Sequence, residues 1–365
     1  MKRISIVAVA IFTMILIGMI FIQAHEKETD VTRERTKVGM VLNGNKNDAS
    51  WNQAHYEGME GCAEDLNLEV VYKENIVNTE NCKMVIEELI EQGCKIIVCD
   101  SFDHNDWVQQ VAKKYPQIYF LHATGVGYEE NLSTFFGRIY QMRYLSGIVA
   151  GLQTETNEIG YVAAMPLDEV NRGINAFTLG VRSVNPEAVV YVEWSNAWSD
   201  DTLVGEATNR LLEGKNIDVL TMHTDSNRPL EIAEEKGIWS IGYNIDNQEK
   251  YPNTFLTAPV WQWKSFYEDR ILECLQGKFK GQHYWEDANT RIVSLVKFTD
   301  NVKEGIGNIV QQEWEKLKSG TWDVFYGPIK EQNGTIKIHE GESMTDYSML
   351  NEFNWYVEGV VVNEK

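Results

Sequence analysis

Short apolar runs rich in β-branched residues alternate with amphipathic stretches of helical length from Lys37 onward, and this alternation constrains the fold most strongly. Short buried strands separated by helices predict parallel sheets with helices on both faces. The first set of predicted strands covers 38–42, 68–72, 96–99 and 118–121. The pattern then restarts with predicted strands at 159–163, 189–193, 219–222 and 238–243. Because the pattern breaks once, we predict two α/β lobes with several chain crossings between them.

The boundaries of these lobes follow from the same pattern. A long segment at 138–152 connects the two sets of strands, and a later helix, strand and helix return to complete the sheets. We predict one lobe from 37–153 plus about 257–285, and the other from 154–256 plus about 290–345. The end of the chain, 346–365, is a separate C-terminal segment. A chain of 365 residues is long enough for two cores of this kind.

The N-terminal residues 1–24 have the pattern of a signal or a membrane anchor. Lys2 and Arg3 precede about twenty uncharged residues, enough for a helix to cross a hydrocarbon layer of ~30 Å. The two basic residues favour a cytoplasmic N-terminus and an extracytoplasmic chain. Residues 25–36 form a polar tether, and no Cys for lipid attachment ends the apolar run. We expect an uncleaved anchor, with cleavage near Ala24 as the alternative.

Composition excludes several classes of function. Lys and Arg number 33 against 54 Asp and Glu, a formal charge of −21 that repels nucleic acids. The five Cys form no CxxC pair, so we expect buried free thiols and no metal site. No phosphate-binding, serine-nucleophile or zinc-protease motif occurs. We therefore expect no cofactor and no catalysis, although scattered acids leave an enzyme open.

Aromatic and polar residues together follow nearly every predicted strand. Ligands of open parallel sheets bind outside the carboxyl ends of the strands, where these residues fall. Two facing lobes would then form a small-molecule cleft, in which rings stack on a flat ligand and polar groups orient it. The predicted ligand contacts are Trp51, Asn52, His55, Phe102, Trp198, Asp225, Tyr243, Asn244, Asp246 and Trp261.

Several of these residues have a structural alternative. Trp51 begins a predicted helix, where its ring could cover the core, although a ligand contact is favoured. His55 lies on the same helical face and could make a surface hydrogen bond instead. Asp225 and Asp246 could cap the helices that follow them. Trp261 is two residues from another Trp, so only one of the two is expected to face the cleft.

Several long motifs resemble the basic membrane protein (BMP/PnrA-like) family of substrate-binding proteins. They occur in order and span essentially 37–362: NLSTFFGR at 131–138, YLSGIVAG at 144–151, IGYVAA at 159–164, VNRGINAFTLG at 170–180 and NWYVEGVV at 354–361. The resemblance implies the type I periplasmic-binding fold, in which two Rossmann-like lobes joined by a hinge close on a purine nucleoside or nucleobase. It also implies an ABC permease as partner.

The same resemblance carries site residues over to this chain. The family's Asp-x-Ser-Phe-Asn loop corresponds to 48–52, where Trp51 replaces the stacking Phe. The family's Gly-Val-Asp-x-Asp segment corresponds to 242–246, where Asn244 replaces the acid expected near a ribose. We therefore expect an extracytoplasmic, membrane-attached protein that delivers a purine-like ligand, a base rather than a nucleoside, to an importer. The alternatives are a tethered ligand sensor and a nucleoside-processing enzyme.

Overall fold

Two parallel sheets of six strands each organise residues 35–362, the part of the chain that the computed structural model describes. In chain order the strands are β1 (Lys37–Val41), β2 (Glu69–Lys73), β3 (Ile96–Cys99), β4 (Tyr119–Ala123), β5 (Leu132–Gly137), β6 (Glu158–Ala163), β7 (Val189–Trp194), β8 (Val219–His223), β9 (Trp239–Ile241), β10 (Phe255–Thr257), β11 (Pro259–Trp261), β12 (His283–Glu286), β13 (Val293–Leu295), β14 (Ile329–Lys330), β15 (Ile336–Ile338) and β16 (Val360–Val362).

Five strands of each sheet follow the same order, and the sixth strand is added at opposite edges, β12 beside β5 and β16 beside β7. The first sheet runs β12-β5-β4-β3-β1-β2 and the second β10-β9-β8-β6-β7-β16, with parallel pairing throughout. The chain passes from one sheet to the other after β5, β10 and β12. Strands β11 and β13 pair as a short antiparallel ribbon near these crossings. The predicted α/β fold with two parallel-sheet lobes is confirmed.

Helices cover both sheets. They are α1 (Trp51–Leu66), α2 (Glu80–Glu91), α3 (Asn105–Lys114), α4 (Ile139–Gln153), α5 (Asp168–Val184), α6 (Asp201–Leu212), α7 (Arg228–Lys236), α8 (Trp263–Leu275), α9 (Ile306–Lys318) and α10 (Asp346–Asn351). Helix α8 packs on α1 of the first lobe, and α4 packs along α5 of the second. The apolar residues of the strands are almost fully buried, as expected for sheets covered on both faces.

Two segments pack on the second lobe, although the predicted boundaries placed neither of them there. Helix α4, which we grouped with the first lobe, packs on the second because it lies along α5. The C-terminal segment, predicted to be separate, adds β16 to the edge of the second sheet beside β7 and packs α10 on α5. The predicted anchor at 1–24 and most of the tether lie outside the described residues. Within 35–362, no helix is long and apolar enough to cross a membrane.

Two glycines allow α4 and α5 to pack at backbone contact. A Cβ atom added at Gly147 would lie 2.0 Å from the carbonyl oxygen of Phe177. A Cβ added at Gly180 would lie 2.0 Å from the carbonyl oxygen of Tyr144. Because backbone atoms cannot move aside as flexible side chains do, both positions require glycine. This contact fixes α4, which follows the first crossing, to the body of the second lobe.

We expect Gly147→Ala to lower the free energy of unfolding by at least about 2 kcal/mol, since the added methyl group forces the two helices apart. Gly205→Ala in α6 is the matched control, because its added Cβ meets no atom closer than 3.5 Å. Alanine favours a helix over glycine by up to about 1 kcal/mol, so this control should be neutral or stabilising. Urea denaturation followed by circular dichroism measures both variants. Equal stabilities of the two variants would contradict the role of the contact.

Candidate ligand-binding site

The candidate site lies at the carboxyl ends of the strands beside the switch point of each sheet. In the first sheet β1 and β3 flank this point, and in the second β6 and β8 do. Loops that follow such strands diverge and leave a crevice, where ligands bind in open α/β sheets. The loops are 42–50, 100–104, 164–167 and 224–227. Several of the predicted contacts lie in these loops or just beyond them.

The loop at 42–50 is held in shape by Asp48 and Asn52. The Asp48 carboxylate accepts hydrogen bonds from the backbone N–H groups of Ser50, Asn52 and Gln53 at 2.8–3.0 Å. It also accepts from the Asn52 side-chain amide at 2.8 Å, while the Asn52 oxygen accepts from the backbone N–H of Gly44. Asn52 is buried and braces the loop. Both ends of its side-chain amide are therefore engaged within its own loop.

Trp51 forms the first-lobe wall of the cleft. Its indole N–H donates to the backbone carbonyl of Asp100 at 3.1 Å, which fixes the half-buried ring. Trp261 meets this ring edge-on at 5.6 Å, and Phe136 lies 4.9 Å from Trp261. Trp261 stacks on Trp263 with the ring centres 4.6 Å apart. Trp261 therefore supports Trp51 from behind and is itself buried.

His55 faces the interior of the first lobe. Its ring stacks on Trp263 with 4.4 Å between the centres, and its Nδ1 bonds to the Tyr267 hydroxyl. Burial lowers the pKa of His55 well below its usual value, so the ring is neutral. His55 shares a helical face with Trp51, as predicted, but that part of the face is covered by α8.

Asn244 joins the two lobes. Its side-chain N–H₂ group donates to Ser50 Oγ and to Asp225 Oδ1, both at 2.8 Å. Its oxygen accepts the indole N–H of Trp261 at 2.8 Å. A second contact across the cleft runs from the Asn227 amide to the backbone carbonyl of Ala49 at 2.9 Å. The lobes are closed on each other, and Asn244 uses both ends of its amide for protein contacts.

Trp198 forms the wall of the second lobe. Its ring lies 6.0 Å from that of His223, and His223 lies 4.7 Å from Tyr243. The carbonyl oxygen of Trp198 accepts the backbone N–H groups of Asp225 and Ser226 at 2.7 and 3.1 Å. The loop that carries Trp198 is thereby tied to the loop that carries Asp225. Tyr243 is buried behind this wall, and the Trp198 ring is partly exposed.

Two predicted contacts lie at the periphery. Phe102 is 59% exposed in a short turn after β3, next to the segment that receives the Trp51 indole. Asp246 is exposed and accepts hydrogen bonds from the backbone and side chain of Gln248 at 2.9 and 2.8 Å. The Asp246 carboxylate therefore stabilises a local turn. The ligand roles of all ten residues stay predictions, with Trp51, Trp198, Asp225 and Asn244 gathered where the lobes meet.

Among the carboxyl groups that the second lobe contributes to this crevice, that of Asp225 has the most strongly shifted pKa. Burial raises its pKa to about 8, and the nearby negative charge of Asp48 adds to the effect. Asn244 and Ser50 oppose the shift through their bonds to Oδ1. Oδ2 has no hydrogen-bond donor among residues 35–362. Asp225 therefore presents one unused oxygen to the cleft and is protonated at neutral pH.

A buried charged group beneath Trp198 was missed by the sequence analysis. The Arg143 guanidinium lies 3.9 Å from the Tyr243 ring and donates to the backbone carbonyl of Met222. Glu169 Oε1 accepts from His223 Nε2 at 3.1 Å. Glu169 sits in the first turn of the helix that follows β6. The strand-end rule would have found it, had the residues after 163 been read like those after the other strands.

The thiols are buried, and the described residues contain no metal-binding group. All five Cys are free and buried, and burial raises the pKa of Cys62, Cys82 and Cys274 to about 12. Thiols in such surroundings are poor nucleophiles. In the described part of the chain, no group of three or more His, Cys, Asp or Glu residues could hold a metal ion.

Comparison with known proteins decides the family. The profile of the PnrA-like ABC transporter substrate-binding proteins matches residues 35–325. A purine-binding protein of Brucella abortus is 33% identical over 90% of this chain and 93% of its own. The chain belongs to the PnrA-like family of substrate-binding proteins. A putative ABC transporter glucose-binding protein of Haloferax volcanii is 34% identical over 86% of this chain and 77% of its own.

Solved structures agree on the fold. An ABC transporter solute-binding protein of Conexibacter woesei superposes with a TM-score of 0.67 at 20% identity, over 79% of this chain and 98% of that one. The predicted family and the type I periplasmic-binding fold are thus confirmed. Proteins of this family bind a small molecule for a membrane permease and are not enzymes. The cleft is accordingly the candidate ligand-binding site.

Closure of this substrate-binding protein should depend on pH through Asp225. In an open cleft the carboxyl regains water and an ordinary pKa near 4. In the closed form the Asp225 carboxyl has a pKa of about 8, so at pH values between about 4 and 8 closure is accompanied by uptake of a proton. Closure of the ligand-free protein therefore becomes less favourable as the pH rises through this window. We expect a larger radius of gyration at about pH 8.5 than at about pH 5.5 by small-angle scattering.

Asp225→Asn provides the control for this experiment, because an amide cannot ionise. The variant should have the same radius of gyration at both pH values. His223 does not interfere, because burial and the charge of Arg143 lower its pKa to about 4. A pH dependence that persists in Asp225→Asn would assign the effect to another group.

Proposed function

We propose that this substrate-binding protein binds a free purine base between Trp51 and Trp198 and delivers it to an ABC permease. The observation that carries the proposal is the pair of partly exposed indole rings on opposite lobes, beside the unused oxygen of Asp225. Base–aromatic stacking contributes roughly 1–3 kcal/mol per base. A carboxyl oxygen complements the donors and acceptors on a purine edge. The Brucella relative named as a purine-binding protein supports the same ligand class.

The amide side chain of Asn244 and its hydrogen bonds to the protein favour a base over a nucleoside as the ligand. A ribose presents paired hydroxyls, for which a carboxylate is the fitting acceptor. The family resemblance expects that acid at position 244, where this chain has an amide bonded to Ser50, Asp225 and Trp261. Asp246 is turned to Gln248 at the surface. Acceptance of a ribose hydroxyl by Asp225 is the alternative.

Titration calorimetry with adenine, guanine, adenosine, guanosine and glucose tests the proposal. We expect adenine to bind more tightly than adenosine, and glucose not to bind. Trp51→Ala and Trp198→Ala should each weaken adenine binding by about 1–3 kcal/mol, or roughly 5-fold to 150-fold. Trp107→Ala is the matched control, because Trp107 lies on α3 outside the cleft and its indole N–H donates to the side chain of Asn78. Tighter binding of adenosine than of adenine would refute the base preference, and binding of glucose alone would refute the purine class.

Transport and sensing are distinguished in cells. If the protein serves an importer, deletion of its gene should reduce the uptake of labelled adenine at low external concentration. A tethered sensor would leave uptake unchanged and alter gene expression in response to the ligand. Permease and ATPase genes beside this gene would support import.

The N-terminal residues are the basis for inferring where in the cell the protein is located. We infer that residues 1–24 remain on the mature protein as a membrane anchor, because the apolar run is long enough to span and ends in a poor cleavage site. The binding lobes would then lie on the extracytoplasmic side. N-terminal sequencing of the protein isolated from membranes should begin at or near Met1. A sequence beginning near His25 would show cleavage instead.

A further inference from the structure

Glu169 lies at the edge of the cleft and has no assigned role. It stands in the first turn of α5, just after the loop that follows β6. Asp225 stands in the loop after β8, the strand paired with β6 on the other side of the switch point. The two carboxyl groups therefore occupy the two sides of the crevice where a ligand is expected. The Glu169 side chain is 28% exposed, so its carboxylate can meet a ligand.

A chain of hydrogen bonds orients the Glu169 carboxylate. Its Oε1 pairs with His223 Nε2 at 3.1 Å, and His223 Nδ1 pairs with the Tyr161 hydroxyl at 3.1 Å. Because the pKa of His223 is lowered to about 4, the ring is neutral and carries one N–H. The consistent arrangement has Tyr161 donating to Nδ1 and Nε2–H donating to Glu169. No residue within 35–362 donates to the other oxygen, Oε2.

The surroundings keep Glu169 ionised. Burial alone would raise its pKa, but His223, Arg172 and Arg143 outweigh that effect, and the pKa is lowered. Two of the Arg143 nitrogens, Nε and Nη2, are buried without a hydrogen-bond partner, so this cation acts on its neighbours through space. The N-terminal end of α5 favours a negative charge as well. An ionised carboxylate accepts hydrogen bonds and cannot donate them.

We propose that Glu169 is a specificity-determining ligand contact, which accepts a hydrogen bond from the exocyclic amino group of a purine base. The proposal rests on the proposed function, since it names the feature of the purine that the same cleft reads. A base stacked on Trp198 lies beside His223, whose ring is 6.0 Å from the indole and is bonded to Glu169. The base edge then extends toward the carboxylate.

Asp225 complements Glu169. The edge of adenine has an amino group, which donates, next to a ring nitrogen, which accepts. The ionised Glu169 suits the donor, and the protonated Asp225 suits the acceptor. A 6-oxopurine such as hypoxanthine reverses this order, since its oxygen accepts and its ring N–H donates. The pair of acids therefore selects aminopurines over oxopurines.

The test compares adenine with unsubstituted purine, which differs by the amino group alone. Titration calorimetry should show adenine binding at least about tenfold more tightly, as expected for a hydrogen bond to a charged group. In Glu169→Gln the affinity for adenine should fall about tenfold while the affinity for purine changes little. The ratio of the two affinities should thus approach one. Glutamine keeps an oxygen for His223 Nε2–H, so the hydrogen-bond chain behind the site is preserved.

Asp168→Asn is the matched control, because it removes the same charge from the same helical turn. Its ratio of adenine to purine affinity should equal that of the parent. Glu169→Asp is a second test variant, since it keeps the charge but withdraws the carboxylate from the ligand, and it should also lower the ratio. Thermal unfolding of each variant identifies a loss of both ligands that comes from misfolding.

The outcomes separate the two proposals. An unchanged ratio in both Glu169 variants, with normal purine binding by the parent, would overturn the role of Glu169 and leave the proposed function intact. A parent protein that binds neither adenine nor purine would overturn the proposed function, and the role of Glu169 with it. A parent that prefers hypoxanthine to adenine would also overturn the assignment of Glu169 as an acceptor.

Discussion

The side-chain amide of Asn244 bonds to groups from three other segments of the chain, and the closed cleft depends on these bonds. Ser50 belongs to the first lobe, Asp225 to the second, and Trp261 to the ribbon near the crossings. Each partner also belongs to the candidate site or supports it. Ser50 precedes Trp51, Asp225 has one oxygen without a donor at the crevice, and the Trp261 ring packs edge-on against the Trp51 ring. A change in the position of this one amide would therefore reach every wall of the cleft.

Two carboxyl groups at the same sheet edge have opposite protonation states. Asp225 is half-buried and loses much of its hydration, and it has acids as neighbours, so its pKa is raised to about 8. Glu169 has His223, Arg172 and Arg143 as neighbours, so its pKa is lowered. Divergent pKa values in a pair of acids usually indicate different tasks. Under the proposed role of Glu169, these tasks are those of hydrogen-bond donor and acceptor toward one ligand, which requires no reaction.

Sequence periodicity predicted most of the fold, and its failures have physical causes. Runs such as 96–99 are apolar throughout because both faces of a parallel sheet are buried, so their positions were correct to within a residue or two. Strand β5 was missed because Ser133 and Thr134 interrupt its apolar pattern. Both are buried, and their hydroxyls bond to the backbone of Gln282 and Gly127. Strand β16 was missed because its pairing partner, β7, is remote in sequence.

The sequence predicted the location of the candidate site better than it predicted the directions of the side chains there. The rule that ligands bind outside the carboxyl ends of parallel strands brought together Trp51, Trp198, Asp225 and Asn244. It could not assign side-chain directions. Asn52 was already engaged by Asp48 and Gly44, and His55 pointed into the core because α8 covers that face of α1. Such competition between neighbours appears only once the chain is folded.

The five buried thiols have a consequence for how this chain matures. In the folded protein their raised pKa values keep the reactive thiolate scarce, so oxidants have little to attack. The unfolded chain has no such protection and exposes an odd number of ordinary thiols. In an oxidising compartment disulfide formation would then compete with folding, and every disulfide formed would be foreign to the native structure. Rapid burial of β3, which begins just after Cys94 and ends at Cys99, would limit this oxidation of the newly made protein.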